Sequence, residues 1–208
     1  MPSAAAPDAM RTLGQLRVAL LARDISPAGL AAVYRYRDAD EVRRDVDGLH
    51  SAGLIDLAGD GAMRATERGR VVLTQMYQVT AEVAAELWAA RDASLAVLSD
   101  LTGQLVQAAL ATGGDAYATM APPYETTDAS SGLLLHTRLS VLRYHRADAH
   151  AAAWHSAGLT STTIRQLPSG AARDGIEADT NRRAGMPYAV LNPEQRITLL
   201  AGLAALPG

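Results

Sequence analysis

Apolar residues recur along this chain at intervals that predict helices in series, interrupted once by a short alternating stretch. Leu13, Leu16, Val18, Leu20 and Leu21 return at helical spacing and predict a first helix over 13–23. Ser26 offers an oxygen to the free N–H groups of the next turn and Pro27 fits the first helical position, so a second helix runs to about Tyr34. Asp38-x-x-Glu41 has the form of a capping box for a third helix, with Val42, Val46 and Leu49 as its inward stripe and Gly53 as its left-handed stop. Leu54-Ile55-Asp56-Leu57, the turn Asp60-Gly61 and Met63-Arg64-Ala65 then read as a hairpin, and Thr66 caps a further helix.

Beyond Thr66 the apolar set Val71, Val72, Met76, Val79, Val83, Leu87, Leu95, Leu98, Leu101 and Leu105 keeps near-heptad spacing, with Gly103 as a break or kink. A seam of that length needs a partner helix. Residues 112–131 carry Gly113-Gly114, Pro122-Pro123 and Ser130-Ser131 and read as a linker or an active loop. A helix from about Leu133 to Ala157 stops at Gly158-Leu159, a short one capped by Thr160 stops before Pro168, and Asn192-Pro193-Glu194-Gln195 opens a terminal helix reaching about Ala205. The pentapeptide His-Ser-Ala-Gly-Leu stands at both 50–54 and 155–159 and reads as two similar helix stops, since its flanks do not repeat.

The fold class on this pattern is mainly α: a winged helix-turn-helix with a small β-hairpin wing, a long connecting helix and a C-terminal helical domain. The chain divides into a flexible tail at 1–11, the winged helix-turn-helix at 12–66, a long helix at 67–111 serving dimerisation, a loop at 112–131 and a helical domain at 132–208. With 208 residues and 49% hydrophobic composition it can bury a core for both units. The absence of Cys removes disulfides and thiol chemistry and fits a reducing compartment. Met1–Ala6 lacks the basic and apolar segments of a secretion signal, and no stretch is long and charge-free enough to cross a bilayer, so a cytoplasmic location is expected. A net charge of −3 gives no global attraction to phosphate, and nucleic-acid contact then needs a local basic patch.

From Leu13 to about residue 90 the chain resembles the MarR-like winged-helix regulators. The resemblance rests on the run Val42-Arg43-Arg44-Asp45-Val46-Asp47-Gly48-Leu49-His50-Ser51-Ala52-Gly53-Leu54-Ile55, on the wing, and on Ala65-Thr66-Glu67-Arg68-Gly69-Arg70 at the start of the long helix. It implies a homodimer that places its third helix in the major groove of duplex DNA and its wing over the backbone, with a small-molecule effector between the heads and the dimer helices. Little sequence precedes residue 12 to form the N-terminal dimer helix usual in that family, so dimerisation is expected on the helix after Thr66.

The third helix itself is acidic. Asp40 precedes Arg44 and Arg43 precedes Asp47 by one turn, while Glu41 and Asp45 add negative charge, a poor surface for phosphate. The arginines available for DNA are Arg35, Arg37, Arg43, Arg44, Arg64 and Arg68, with Arg70 beside them. A solvated rim of charge around a fold used only for packing is the plain alternative.

A second unusual stretch is Leu142-Arg143-Tyr144-His145-Arg146-Ala147-Asp148-Ala149-His150, continuing to Trp154. It resembles a His-Arg-x-Asp-x-His run of uncharacterised actinobacterial helix-turn-helix proteins, where it lies before the winged helix and not after it. On a helix His136, Arg143 and His150 share one face, with Arg146 and Trp154 beside them, and with Tyr124 of the preceding loop they form a candidate pocket for a small anionic or aromatic molecule. The plain reading makes His145 a satisfied core residue paired with Asp148. His145 and His150 fall about 140° apart on a regular helix and cannot share a metal ion, so no metal and no cofactor is expected. No nucleophile elbow, phosphate loop or His-Glu-x-x-His is present. Glu125 with His145 or His150 would serve acid–base chemistry only if folding joined them. The function expected is a dimeric winged-helix transcriptional regulator; the alternative is a repurposed winged helix that binds or transforms a small molecule through the His145–His150 helix without reading DNA; a protein–protein adaptor using the long apolar helix is a third possibility.

Overall fold

The computed structural model of the chain describes residues 6–207. Among these it is mainly helical, with one two-stranded antiparallel sheet. Helix α1 spans Pro7–Leu20, six residues ahead of the expected start. Pro7 sits in the first turn where its missing N–H costs nothing, Asp8 faces the positive helix end, and Ala9 is buried against Gly48 of the third helix. Part of the expected flexible tail at 1–11 is therefore core, while its residues 1–5 lie outside the described chain.

Helix α2 (Pro27–Val33) begins at Ser26, whose hydroxyl accepts from the Gly29 N–H at 3.0 Å. Helix α3 (Ala39–Ser51) begins at Asp38, which accepts from the N–H groups of Asp40 and Glu41. Val42, Val46 and Leu49 turn inward as expected, and Asp45 is buried with them. Strands β1 (Ile55–Leu57) and β2 (Met63–Ala65) pair Ile55 with Ala65, Asp56 with Arg64 and Leu57 with Met63. Ile25 exchanges both backbone bonds with Met63, at 2.9 and 2.7 Å, so the ribbon is tied to the segment before α2. The two His-Ser-Ala-Gly-Leu segments adopt the same stop: Gly53 and Gly158 have φ of 67° and 73°, and each following Leu donates to the carbonyl five residues back.

The expected continuous helix at 67–111 is two helices. Helix α4 (Glu67–Leu87) ends at Trp88, a 3-10 turn covers Ala89–Arg91, and α5 runs Asp92–Ala109. Gly103 is not the break. It lies within α5, where a Cβ would stand 2.9 Å from the Arg138 guanidinium, and so admits the helix that packs there. Leu95, Leu98, Leu101 and Leu105 are buried with Leu135, Leu191 and Leu199 from later in the chain, so the α5 half of the seam finds its partners within the chain.

Inside the expected loop lies α6 (Asp115–Met120), with Ala116, Tyr117 and Met120 buried between α2 and the long helix α7 (Ser131–Ser156). Helix α7 is flanked by α4, α5, α6 and α9. Helices α8 (Ser161–Gln166) and α10 (Pro193–Ala204) start from complete capping boxes at Thr160 and Asn192. Between them α9 (Ala171–Ala184) and a 3-10 turn at Met186–Val190 complete the chain. The largest apolar cluster joins α1, α3, the ribbon, α6 and residues Val141 and Tyr144 of α7, so residues 12–66 and 132–207 share a core. No helix among the described residues is long and apolar enough to cross a membrane.

Candidate functional site

The surface formed by α2, α3 and the ribbon was the expected DNA face, and its arginines fall into two groups. Arg35 and Arg37 are committed internally. Arg35, in the segment between α2 and α3, forms an ion pair with Asp148 of α7, with side-chain exposures of 16% and 8%. Asp148 also accepts the N–H groups of Gly114 at 3.1 Å and Tyr117 at 2.8 Å, so one carboxylate fixes both the α2–α3 segment and the start of α6. Arg37 donates to Asp45 at 2.9 Å and to the Thr12 hydroxyl at 3.0 Å, while that hydroxyl donates to Asp45 at 2.6 Å. This closed triad neutralises the half-buried Arg37 and explains why Asp45 can be buried on the inner stripe of α3.

The second group is exposed. Arg43 meets Asp40 of its own helix at 2.7 Å, and Arg64 grips Asp24 through two nitrogens at 2.7 and 3.0 Å. That contact holds the Asp24 carboxyl below the usual range. Arg44 and Arg68 are exposed and have no carboxylate partner among the described residues. The outer face of α3 carries Arg43 and Arg44 against Asp40, Glu41 and Asp47, a net of one negative charge.

Helix α7 does not present its polar residues as one stripe to one ligand. His136 faces α1, where its Nε2 lies 3.2 Å from Nη2 of Arg17. A guanidinium can only donate, so His136 is neutral with its proton on Nδ1. Burial and the neighbouring Arg17 and Arg143 lower its pKa. Arg143 lies over the ring of Tyr144 and donates to its hydroxyl at 2.6 Å. His145 is buried but its partner is the Thr112 hydroxyl at 2.9 Å, with the Tyr117 ring edge-on; Asp148, expected to pair with it, belongs to Arg35 and α6. Arg146 reaches Glu177 and Asn181 of α9, and His150 meets Thr180 at 3.1 Å. Burial lowers the pKa of His145 and His150 as well. Trp154 donates from its indole to the Tyr36 hydroxyl at 3.0 Å.

Tyr124 stacks edge-on to Tyr77 of α4, and its N–H donates to Val18, so the 121–125 segment covers α1 and α4. Glu125 is bound to Arg138 through both oxygens at 2.8 Å and lies apart from the partners of His145 and His150. Of the expected ligand set, His145 and Arg146 share a cavity of about 240 Å³ with Tyr188, and the rest are dispersed.

Two further features leave no mark in the order of residues. Tyr36, between α2 and α3, is held by Trp154 on its hydroxyl and by Arg165 on its carbonyl at 3.1 Å, so α7 and α8 grip the segment that sets the α2–α3 angle. A groove of about 550 Å³ opens between α2, α3 and the ribbon, lined chiefly by Leu30, Tyr34, Val42, Val46, Leu57 and Met63. Its charged lining is Arg35, Arg37 and Arg43 against Asp47. Neither a protein-family model, a curated protein nor a solved structure matches this chain.

Proposed function

We propose that residues 7–66 are a winged helix-turn-helix head that contacts duplex DNA through its phosphates, and that the protein is a cytoplasmic transcriptional regulator. The observation that carries this reading is the ribbon tied at Ile25–Met63 beside a capped α2–α3 pair, with Arg43, Arg44 and Arg64 exposed along it. Arg35 and Arg37 take no part, because their charges are already met by Asp148 and Asp45. Three phosphate contacts per head, against an outer α3 face of net negative charge, give weak and strongly salt-dependent binding. The slope of log K against log salt is about −3 for one head. Fluorescence anisotropy with a duplex from the protein's own upstream region, at salt from about 25 to about 200 mM, tests this. Binding that is absent at the lowest salt, or indifferent to salt, removes the regulator reading.

The groove supports a second reading, in which the head holds a small apolar molecule bearing a carboxylate and does not need DNA. Arg43 is the arginine at its rim open to an anionic group, since Arg35 and Arg37 are held by Asp148 and Asp45, and the exposed Arg43–Asp40 pair exchanges readily for such a ligand. Amide shifts of Val42, Val46 and Met63 on titration with medium-chain fatty acids are the expected result; unmoved amides dismiss it.

A further inference from the structure

His145 of α7 is a buried side chain whose hydrogen bonds are only half met by its own chain. It is 4% exposed, its Nε2 meets the Thr112 hydroxyl at 2.9 Å, and its Nδ1 has no hydrogen-bond partner among the described residues. Buried polar atoms are ordinarily paired, so an open one marks a place where another group is met. The ring lines the cavity of about 240 Å³ between α7, α9 and the 3-10 turn at Met186–Val190. Asn181 and Tyr188 line it too, and the amide nitrogen of the first and the hydroxyl of the second have no partner among the described residues. Leu142, the buried Pro187 and the ring of Tyr188 are its apolar walls. The Asn181 carbonyl accepts from the Gly185 N–H at 2.9 Å and the Tyr188 carbonyl accepts from Arg196 at 3.0 Å, so both residues stand on a tied backbone.

Charge and size narrow what this cavity takes. Arg146 at its rim is answered by Glu177 at 3.1 Å, so the site favours a neutral molecule over an anion. Its volume is below the roughly 300–1,000 Å³ of a drug-sized pocket, which limits the occupant to one small ring system. The Asn181 amide then selects among such rings. Arg146 donates to its Oδ1 at 3.3 Å, and a guanidinium can only donate, so the amide is held in one orientation. Oδ1 keeps a second lone pair and Nδ2 keeps its donors, a match for a ring nitrogen beside an exocyclic amine, as adenine presents. We propose that this cavity binds a neutral aminated nucleobase of the adenine type, its edge on Asn181, its face against Tyr188 and a further ring nitrogen at Nδ1 of His145. The Thr112 hydroxyl donates or accepts, so Nδ1 accepts from or donates to the base in turn. The site uses no residue of the head, and rests neither on DNA contact nor on the groove beside α3.

Isothermal titration of the full chain with adenine tests the proposal. The expected dissociation constant is on the order of 0.1 mM for a ligand of this size. Hypoxanthine, which turns a carbonyl toward Oδ1 in place of the amine, binds about tenfold more weakly. Asn181→Leu weakens adenine about tenfold and Tyr188→Ala about fivefold. Arg146→Met frees the amide to turn over and brings hypoxanthine to within about twofold of adenine, a change of preference that loss of packing alone would not produce. All three substituted residues are exposed, and circular dichroism melts confirm that the variants stay folded. No heat with adenine up to about 5 mM overturns the proposal. So does equal affinity of the wild type for hypoxanthine, unchanged affinity in Asn181→Leu, or undiminished discrimination in Arg146→Met.

Discussion

Replacing Asp148 by Ala is the sharpest test of how the head is joined to the rest of the chain. Its carboxylate, 8% exposed, answers Arg35 and the N–H groups that open α6. Removing it leaves a guanidinium 16% exposed with no counter-charge, and breaking a buried pair in this way costs about 3–5 kcal/mol. For a chain of this size that lowers the melting temperature by on the order of 10 °C. The reverse change, Arg35→Ala, is milder, because Asp148 keeps its backbone donors. Asp148→Asn falls between them, since an amide retains one acceptor oxygen but turns an N–H₂ toward donors. Urea unfolding of the three variants and of the Arg35→Ala/Asp148→Ala pair gives the interaction energy directly. A cost for Asp148→Ala below about 1 kcal/mol, or strict additivity of the two single changes, refutes the claim that this pair is a buried structural joint.

Two glycines separate close approach from open helix. Gly69→Ala drives a Cβ to 1.8 Å from the Leu54 carbonyl, so it should cost about 3 kcal/mol by forcing α4 off the ribbon, whereas Gly175→Ala meets nothing within 4 Å and should stabilise α9 by about 0.8 kcal/mol; equal effects in denaturant melts contradict this. His136, His145 and His150 all have lowered pKa values in the fold, so the unfolded chain binds more protons once pH falls below about 6.5, and stability should drop between about pH 7 and pH 5. His145→Gln, which keeps a polar partner for Thr112, should flatten that drop in melting temperature; an unchanged slope removes His145 from the effect. Arg64→Ala should weaken DNA binding equally for all sequences and reduce the salt slope by about one, and an unaltered slope clears the ribbon of any phosphate contact.

Much of the head was legible because its signals are local. Ser26-Pro27, Asp38, Gly53, Asp60-Gly61 and Thr66 each act on backbone groups within a few residues, and each formed its cap or turn where it was read, although Asp38 caps α3 without the return bond from Glu41 that a full capping box needs. Helix α9 was invisible for the opposite reason. Its buried residues are only Ile176 and Thr180, so no apolar period marks it, and it exists because α7 packs along it. The break at Trp88 was also hidden, since the apolar spacing continues through it. Gly103 misled because a glycine serves either flexibility or close approach, and only the position of Arg138 distinguishes them.

The charged residues show the same division. Residue order was enough to tell that the chain is mainly helical, where its helices start and stop in residues 26–66, and that α3 carries more acid than base. Which charges are available was settled only by packing: Arg35 and Arg37 look identical to Arg43 and Arg44 along the chain, but Asp148, 113 positions away, and Asp45 neutralise the first two. Packing also split the polar residues of α7 among α1, α6 and α9, because a helix wrapped on several sides gives each face a different neighbour. Caps and turns depend on short-range hydrogen bonds and can be read from adjacent residues, whereas partnership between charges depends on which distant elements the core brings together.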